Sequence, residues 1–264
     1  MPDEAVIRCP DRVNGVVEIL TPRRIEEVSL NSWPALQQLL FDGWVLRFAR
    51  GYTKRANSVN PVYDSTLDIR GKVETCEAIY AGRGLPTVFR LTSFSVLSDL
   101  DDLLAARGYQ KVDPTLVLFL DLRSWNPAVA SLGEMCELSL NDWLIAFCGL
   151  KGSPVADHQT HREILEAIPT RRFLAMLADD EESVACGMAV LEAGYVGLFD
   201  IVTGPQRLRR GYGNALVAGL LNWAHNKGVT FAYLQVIAEN EPARRLYAQF
   251  GFQEAYSYWY RVSK

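Results

Sequence analysis

The spacing of hydrophobic positions changes period repeatedly along the chain, and each change predicts an element. Ile25, Val28, Leu36, Leu39 and Leu40 recur at helical spacing and predict a helix over 22–40 that Pro34 breaks. Phe41, Asp42 and Gly43 are turn chemistry. The pattern then predicts a strand over 44–49, a turn over 51–54 and a polar strand over 55–62. A helix over 69–80 closed by Gly82 and Gly84 follows, then a strand over 87–92, a helix over 99–107 and a strand over 115–122. Residues 123–131 carry Trp125, Asn126 and Pro127 and read as a linker. Beyond it come a strand over 134–140, a helix over 141–150 with Asn141 as N-cap, and a helix over 158–168 ended by Pro169. Strands over 172–178, 184–192 and 195–203 lead to a glycine turn and a helix reaching residue 226. A strand over 231–237, a helix over 241–249 and an aromatic strand over 255–262 complete the chain, while residues 1–20 lack a period and read as a loose arm. Strands that first run antiparallel and then alternate with helices predict an α+β fold, a mixed central sheet flanked by helices.

A weak repeat divides this pattern. Leu103-Leu104-Ala105-Ala106-Arg107-Gly108-Tyr109-Gln110 parallels Leu246-Tyr247-Ala248-Gln249-Phe250-Gly251-Phe252-Gln253 at an offset of 143 residues. Short helix, glycine, aromatic, strand is also a common arrangement in unrelated chains. If the repeat is a duplication, the two halves are 1–123 and 132–264. At the same offset Asn240, Tyr247 and Gly211 fall on Leu97, Leu104 and Asp68, so the first half has lost that chemistry.

The turn after the strand over 195–203 is the densest candidate site. It reads Thr203-Gly204-Pro205-Gln206-Arg207-Leu208-Arg209-Arg210-Gly211-Tyr212-Gly213-Asn214, with a buried helix face of Leu216, Leu220 and Ala224 beyond it. Glycines let a ligand reach backbone N–H groups, and a helix N-terminus is an anion site, so this turn suits a pyrophosphate. A purely structural turn uses the same residues. Farther on, Leu234-x-Val236-x-x-x-Asn240-x-x-Ala243-x-x-Leu246-Tyr247-x-x-x-Gly251-Phe252 ends one strand and opens a short helix.

Together, in this order and spacing, the two motifs resemble the GNAT superfamily of acetyl-CoA-dependent N-acetyltransferases over residues 134–264. The resemblance implies a GNAT-like mixed sheet, two tandem halves of which only the second is catalytic, and acetyl-CoA as co-substrate with no metal. It implies that backbone N–H groups of Arg209, Arg210, Gly211, Tyr212, Gly213 and Asn214 hold the pyrophosphate. The strand end Ile201, Val202 and Thr203 would pair with the pantetheine arm, with Asn240 also reaching it. Tyr247 would be the general acid for the departing thiolate. Leu208 stands where the family usually has Arg or Gln. Asp200 is the candidate general base, on the face that strand alternation sets opposite Phe199 and Ile201, with Glu192 a weaker candidate.

The implied reaction moves an acetyl group directly to a primary amine of a small molecule, amino acid or peptide. A silent acetyl-CoA-binding regulatory module and a transferase of longer acyl chains remain alternatives. The segments 44–47 and 55–61 read as an exposed sheet face, with a wall of the acceptor pocket as the alternative. His158 and His161, three residues apart, lack further ligands and read as structural, as does His225.

Composition alters little. A chain of 264 residues, 49% hydrophobic and 22% charged, suits one large or two small globular domains. A net charge of −4 gives no reason to expect nucleic acid, which makes the basic cluster Arg207, Arg209 and Arg210 stand out. No signal pattern and no apolar run of ~18 residues argue for a membrane. The five cysteines are scattered and form no Cys-x-x-Cys pair, as expected in a reducing cytoplasm. Oligomerisation is left open.

Overall fold

Eleven strands form a single sheet in the computed structural model, which describes residues 12–13, 16–17, 21–94, 98–127 and 132–263. In chain order they are β1 Gln37–Phe41, β2 Trp44–Phe48, β3 Val59–Pro61, β4 Val88–Thr92, β5 Gln110–Asp121 and β6 Glu134–Glu137. The rest are β7 Arg172–Asp179, β8 Glu182–Glu192, β9 Tyr195–Thr203, β10 Phe231–Ile237 and β11 Gln253–Val262. Across the sheet the order is β1-β2-β3-β4-β11-β5-β10-β9-β8-β7-β6. The closing strands cross over. β5, from the first half of the sequence, pairs with β10 of the second, and β11 pairs with β4 of the first. β5 and β11 pair with each other at the centre.

Seven helices cover the sheet among the described residues: α1 Pro22–Ser32, α2 Ile69–Ala81, α3 Ser98–Ala106, α4 Leu140–Lys151, α5 Gln159–Glu166, α6 Tyr212–His225 and α7 Glu241–Gln249. α1, α4 and α5 cover one face with Ile25, Val28, Trp33, Trp143, Phe147 and Ile164. On the other face α6 and α7 pack through Leu216, Leu220 and Tyr247, and α2 and α3 through Val73, Tyr80, Leu100 and Leu104. The repeat is visible in this architecture. Ile69 and Tyr212 open α2 and α6, Val88 and Phe231 open β4 and β10, and Gln110 and Gln253 open β5 and β11. Every pair keeps the sequence offset of 143 residues.

Several predicted elements change. The first helix, capped by Thr21, whose hydroxyl accepts from the Arg24 N–H at 3.1 Å, starts at Pro22 as predicted but stops at Ser32. Pro34 restricts the residue before it and cannot donate, so the chain turns and Leu39 and Leu40 join edge strand β1 instead. Of the polar strand expected over 55–62 only β3 forms, after a 3-10 turn at Lys54–Ala56. Nor do these segments make an exposed sheet face, because β2 and β3 are buried throughout. Ser139, not Asn141, caps α4, since its hydroxyl is in reach of the Asp142 N–H, while Asn141 accepts from Arg162. The expected arm over 1–20 lies outside the described residues apart from the short ladder Arg12–Val13 with Val16–Val17, and the end of the expected linker, 128–131, lies outside them too.

Candidate active site

β9 and β10 run parallel and pair from Tyr195 with Phe231 to Leu198 with Leu234, and beyond that point they part. On its other edge β9 stays paired with β8 as far as Thr203, but Asp200 and Ile201 together stand opposite Gly187. That extra residue is a bulge, with Asp200 at φ +51°. It corrects the expected alternation. Phe199 packs under α4 and α5, whereas Ile201 packs with α6 and α7. One inserted residue reverses which face every later side chain takes. Asp200 goes with Phe199, because its carboxylate meets His161 of α5. Two neighbours hold the bulge: Gly187, where a Cβ would lie 2.5 Å from Ile201 Cδ1, and the Trp143 indole, which donates to the Gly187 carbonyl at 3.2 Å.

The parting of the strands opens a cleft of about 330 Å³ that joins the two faces of the sheet. Ile201, Asn240, Ala243 and Tyr247 line it from the α7 side, and Arg55, Phe147, Lys151, Phe199 and Asp200 from the other. Val202 and Gln235 lie between them. Tyr247 is buried, its hydroxyl makes no hydrogen bond among the described residues, and burial pushes its phenol up to about 12. Asn240 caps α7 by accepting from the Ala243 N–H at 3.2 Å, so it has a structural task besides facing the cleft.

The glycine turn lies beyond Thr203. Gly211 is the N-cap of α6 at φ +87°, a conformation glycine adopts without penalty, and no side chain caps the helix. The N–H groups of Tyr212, Gly213 and Asn214 are therefore left at a positive helix end. A Cβ on Gly213 would sit 3.4 Å from Thr203 Oγ1 and 3.6 Å from Leu246 Cδ2, filling the space between β9 and α7. Arg209 and Arg210 are exposed and form no ion pair among the described residues, whereas Arg207 pairs with Glu182 at 2.5 Å. The Tyr212 hydroxyl donates to Asp179 and the Asn214 amide donates to Gln249 at 3.1 Å, which leaves their backbones for a ligand. An uncapped helix start with space above it fits a pyrophosphate.

On the opposite face His161, 1% exposed, donates from Nε2 to Asp200 Oδ2 at 2.9 Å. Trp33, Tyr52, Trp143 and Phe147 surround its ring, and its Nδ1 has no hydrogen-bond partner among the described residues. His158 instead meets Ser153 at 2.9 Å and Tyr52 at 3.3 Å. Glu192 is bound to Asn31 and does not line the cleft.

The sequence profile described as "Probable histone acetyltransferase Rv0428c C-terminal" matches residues 21–261. The chain belongs to that family, and it is a GNAT N-acetyltransferase. It is 32% identical over 253 residues to "Uncharacterized N-acetyltransferase YobR" of Bacillus subtilis (strain 168), covering 92% of this chain and 98% of that one. Its fold resembles a GCN5-related N-acetyltransferase from Kribbella flavida at TM-score 0.71 and 15% identity, over 91% of this chain and 95% of the other. It also resembles a tandem GNAT protein from the clavulanic acid biosynthesis pathway at TM-score 0.60 and 13% identity, over 78% and 74%.

GNAT acetyltransferases use acetyl-CoA generally. Within this acetyltransferase the two halves differ at the corresponding helix start. Asp68, at the repeat position of Gly211, puts its own carboxylate on the start of α2 and accepts from the Gly71 N–H at 3.0 Å. No helix among the described residues is long and apolar enough to cross a membrane. In the sequence Arg55, which lines the cleft, is reached only within the segment 55–61 weighed as an acceptor wall, and His161, which holds Asp200 from behind, reads as structural. The i, i+3 spacing of His158 and His161 was the one signal available, and it pointed to a metal question rather than to Asp200.

Proposed function

We propose that the chain transfers the acetyl group of acetyl-CoA directly to a primary amine of a small molecule, amino acid or peptide. The observation that carries this reading is the gap between β9 and β10, which has an uncapped helix N-terminus at one end and joins a tyrosine on one face to a carboxylate on the other. Acetyl-CoA supplies an activated thioester, whose acetyl carbon takes the amine nitrogen as the C–S bond breaks. The N–H groups from Arg209 to Asn214 bind the pyrophosphate, with Arg209 and Arg210 adding charge beside it. Backbone groups of Ile201, Val202 and Thr203, which have no strand partner on the β10 side, pair with the pantetheine arm. Asp200 Oδ1 accepts the proton that the ammonium must lose, while His161 holds Oδ2. Tyr247 donates its phenolic proton to the leaving sulfur, and the second proton that the nitrogen sheds as the amide forms restores the phenol. The transfer needs alignment above all, because a thiolate is a good leaving group and asks little of the acid.

The test is acetyl-CoA turnover against a panel of primary amines, read as free thiol and as acetylated product by mass. Gly213→Val, which fills the space over the helix start, is expected to weaken coenzyme A binding about tenfold or more with a normal melt. Unchanged affinity in calorimetry would remove the glycine turn from the cofactor site.

A further inference from the structure

We propose that the acceptor is a small amine that also carries a carboxylate, an amino acid being the simplest, and that Arg55 of the first half recognises that carboxylate. This inference rests on the acyl-transfer reading above and narrows it. Arg55 sits on the turn Lys54–Ala56, and the base of its side chain is held from below. The buried Arg47 guanidinium donates to the Arg55 carbonyl at 2.8 Å and to the Leu30 carbonyl at 3.0 Å. Asn57 accepts from Ala49 and Gly51 at 2.7 and 2.8 Å and donates to Thr53 at 2.7 Å, closing the loop that carries Arg55. The Arg55 guanidinium lies over the rings of Trp33 at 5.7 Å and Phe199 at 5.8 Å, beside the Tyr258 hydroxyl. It is thereby fixed at the wall of the cleft.

What it lacks is an anion. Arg24, Arg50, Arg90 and Arg261 each hold a carboxylate, but Arg55 has no ion pair among the described residues, and its Nε is buried without an acceptor. An unpaired cation taken out of water is costly, so a site that keeps one rigid and half-buried is poised for a ligand to neutralise it. The guanidinium fork matches a carboxylate in plane and spacing, and stacking on two rings fixes that plane beforehand. Among the cleft-lining residues Asp200 is the single acid, against Arg55 and the exposed Lys151. His161 already engages one Asp200 oxygen. An amino acid presents the complementary pair, its ammonium to Asp200 and its carboxylate to Arg55. A plain amine leaves Arg55 unmatched, and a diamine is repelled by it.

The experiment uses the full chain with acetyl-CoA and matched triplets of amino acid, its carboxamide and its decarboxylated amine. The acids are expected to exceed the other two by about 10–100-fold in kcat/KM, the range of one charge-assisted hydrogen-bonded contact. Arg55→Gln should erase most of that preference by raising KM for the acids, Arg55→Lys should restore part of it, and KM for acetyl-CoA should stay near its wild-type value. Equal kcat/KM across the triplets in the wild type overturns the carboxylate assignment and leaves the transferase standing. No turnover of any amine, with acetyl-CoA bound, overturns the transferase reading instead. Calorimetric titration of N-acetyl amino acids and N-acetyl carboxamides into the coenzyme A complex decides the assignment in either case. Tighter binding of the acids that Arg55→Gln abolishes supports it, and equal or absent binding overturns it. If Arg55→Gln fails to melt cooperatively, Arg55→Lys carries the comparison.

Discussion

The Tyr247 phenol, pushed up to about 12 by burial, keeps its proton at the alkaline pH where amines become nucleophilic. Burial disfavours phenolate, so loss of this proton should not lower kcat below about pH 11. A decline with its midpoint near pH 10 would mean the phenol is not shielded as described. Tyr247→Phe removes one oxygen and keeps the ring packed on Phe252. A drop in kcat of about 10–100-fold is expected, the low end for a general acid, with KM for acetyl-CoA nearly constant. Full activity in that variant would leave Tyr247 as packing. His158 titrates in the opposite sense, because burial, with His161 beside it, lowers its pKa. As pH falls through its ordinary value of about 6.5, the unfolded chain takes up a proton that the folded one refuses, so stability declines. Thermal melts across that range should flatten in His158→Gln, and an unchanged slope would exclude this residue as the source. Tyr247 and Asn240 were legible because their spacing lies within one strand–helix unit. His161 was not, since it meets Asp200 across 39 residues of sequence that no local pattern reports, and Arg55 was reached only as part of the segment 55–61.

At the scale of elements, β10 and α7 were predicted to the residue, because the switch from strand period to helix period is abrupt and Pro242 follows the cap. The bulge in β9 escaped because the inserted residue is an aspartate rather than the glycine that usually marks a positive φ. Its partner Gly187 carried the readable trace, an isolated glycine inside a strand pattern. Gly187→Val tests the arrangement. Its added methyls would meet Ile201 Cδ1, with Leu216 and Leu220 close behind, so Ile201 must move from the cleft wall. A loss of about 1–3 kcal/mol of stability is expected from overpacking, together with weaker coenzyme A binding in calorimetry. Loss of stability with intact affinity would show that the bulge can shift without disturbing the cleft.

For the molecule as a whole, the repeat read from eight residues extends through two pairs of helices on one face of the sheet and the strands beneath them. What the repeat did not disclose is that each half lends its last strand to the other, because strand partners across a sheet are chosen by long-range packing and not by local sequence. Two consequences can be measured. Coenzyme A should bind at one site per chain, since Asp68 occupies the helix start that corresponds to Gly211. A stoichiometry of two would overturn that reading of the first half. Residues 1–131 and 132–264 expressed apart should each be poorly folded, and their co-expression should restore a cooperative melt. A cooperative melt by either fragment alone would show that the exchanged strands are dispensable.

The exchange also sets a timetable for synthesis. β11 lies near the middle of the sheet, yet of the eleven strands it is the last in chain order. Until it arrives, β4 and β5 lack their shared partner, and a nascent chain that already carries the other ten strands still presents open strand edges to its neighbours. A premature stop a few codons upstream of β11 therefore removes the seam between the halves rather than a dispensable tail. Mutations that slow or truncate translation just before β11 should consequently be read out as aggregation, not as a shortened but soluble enzyme.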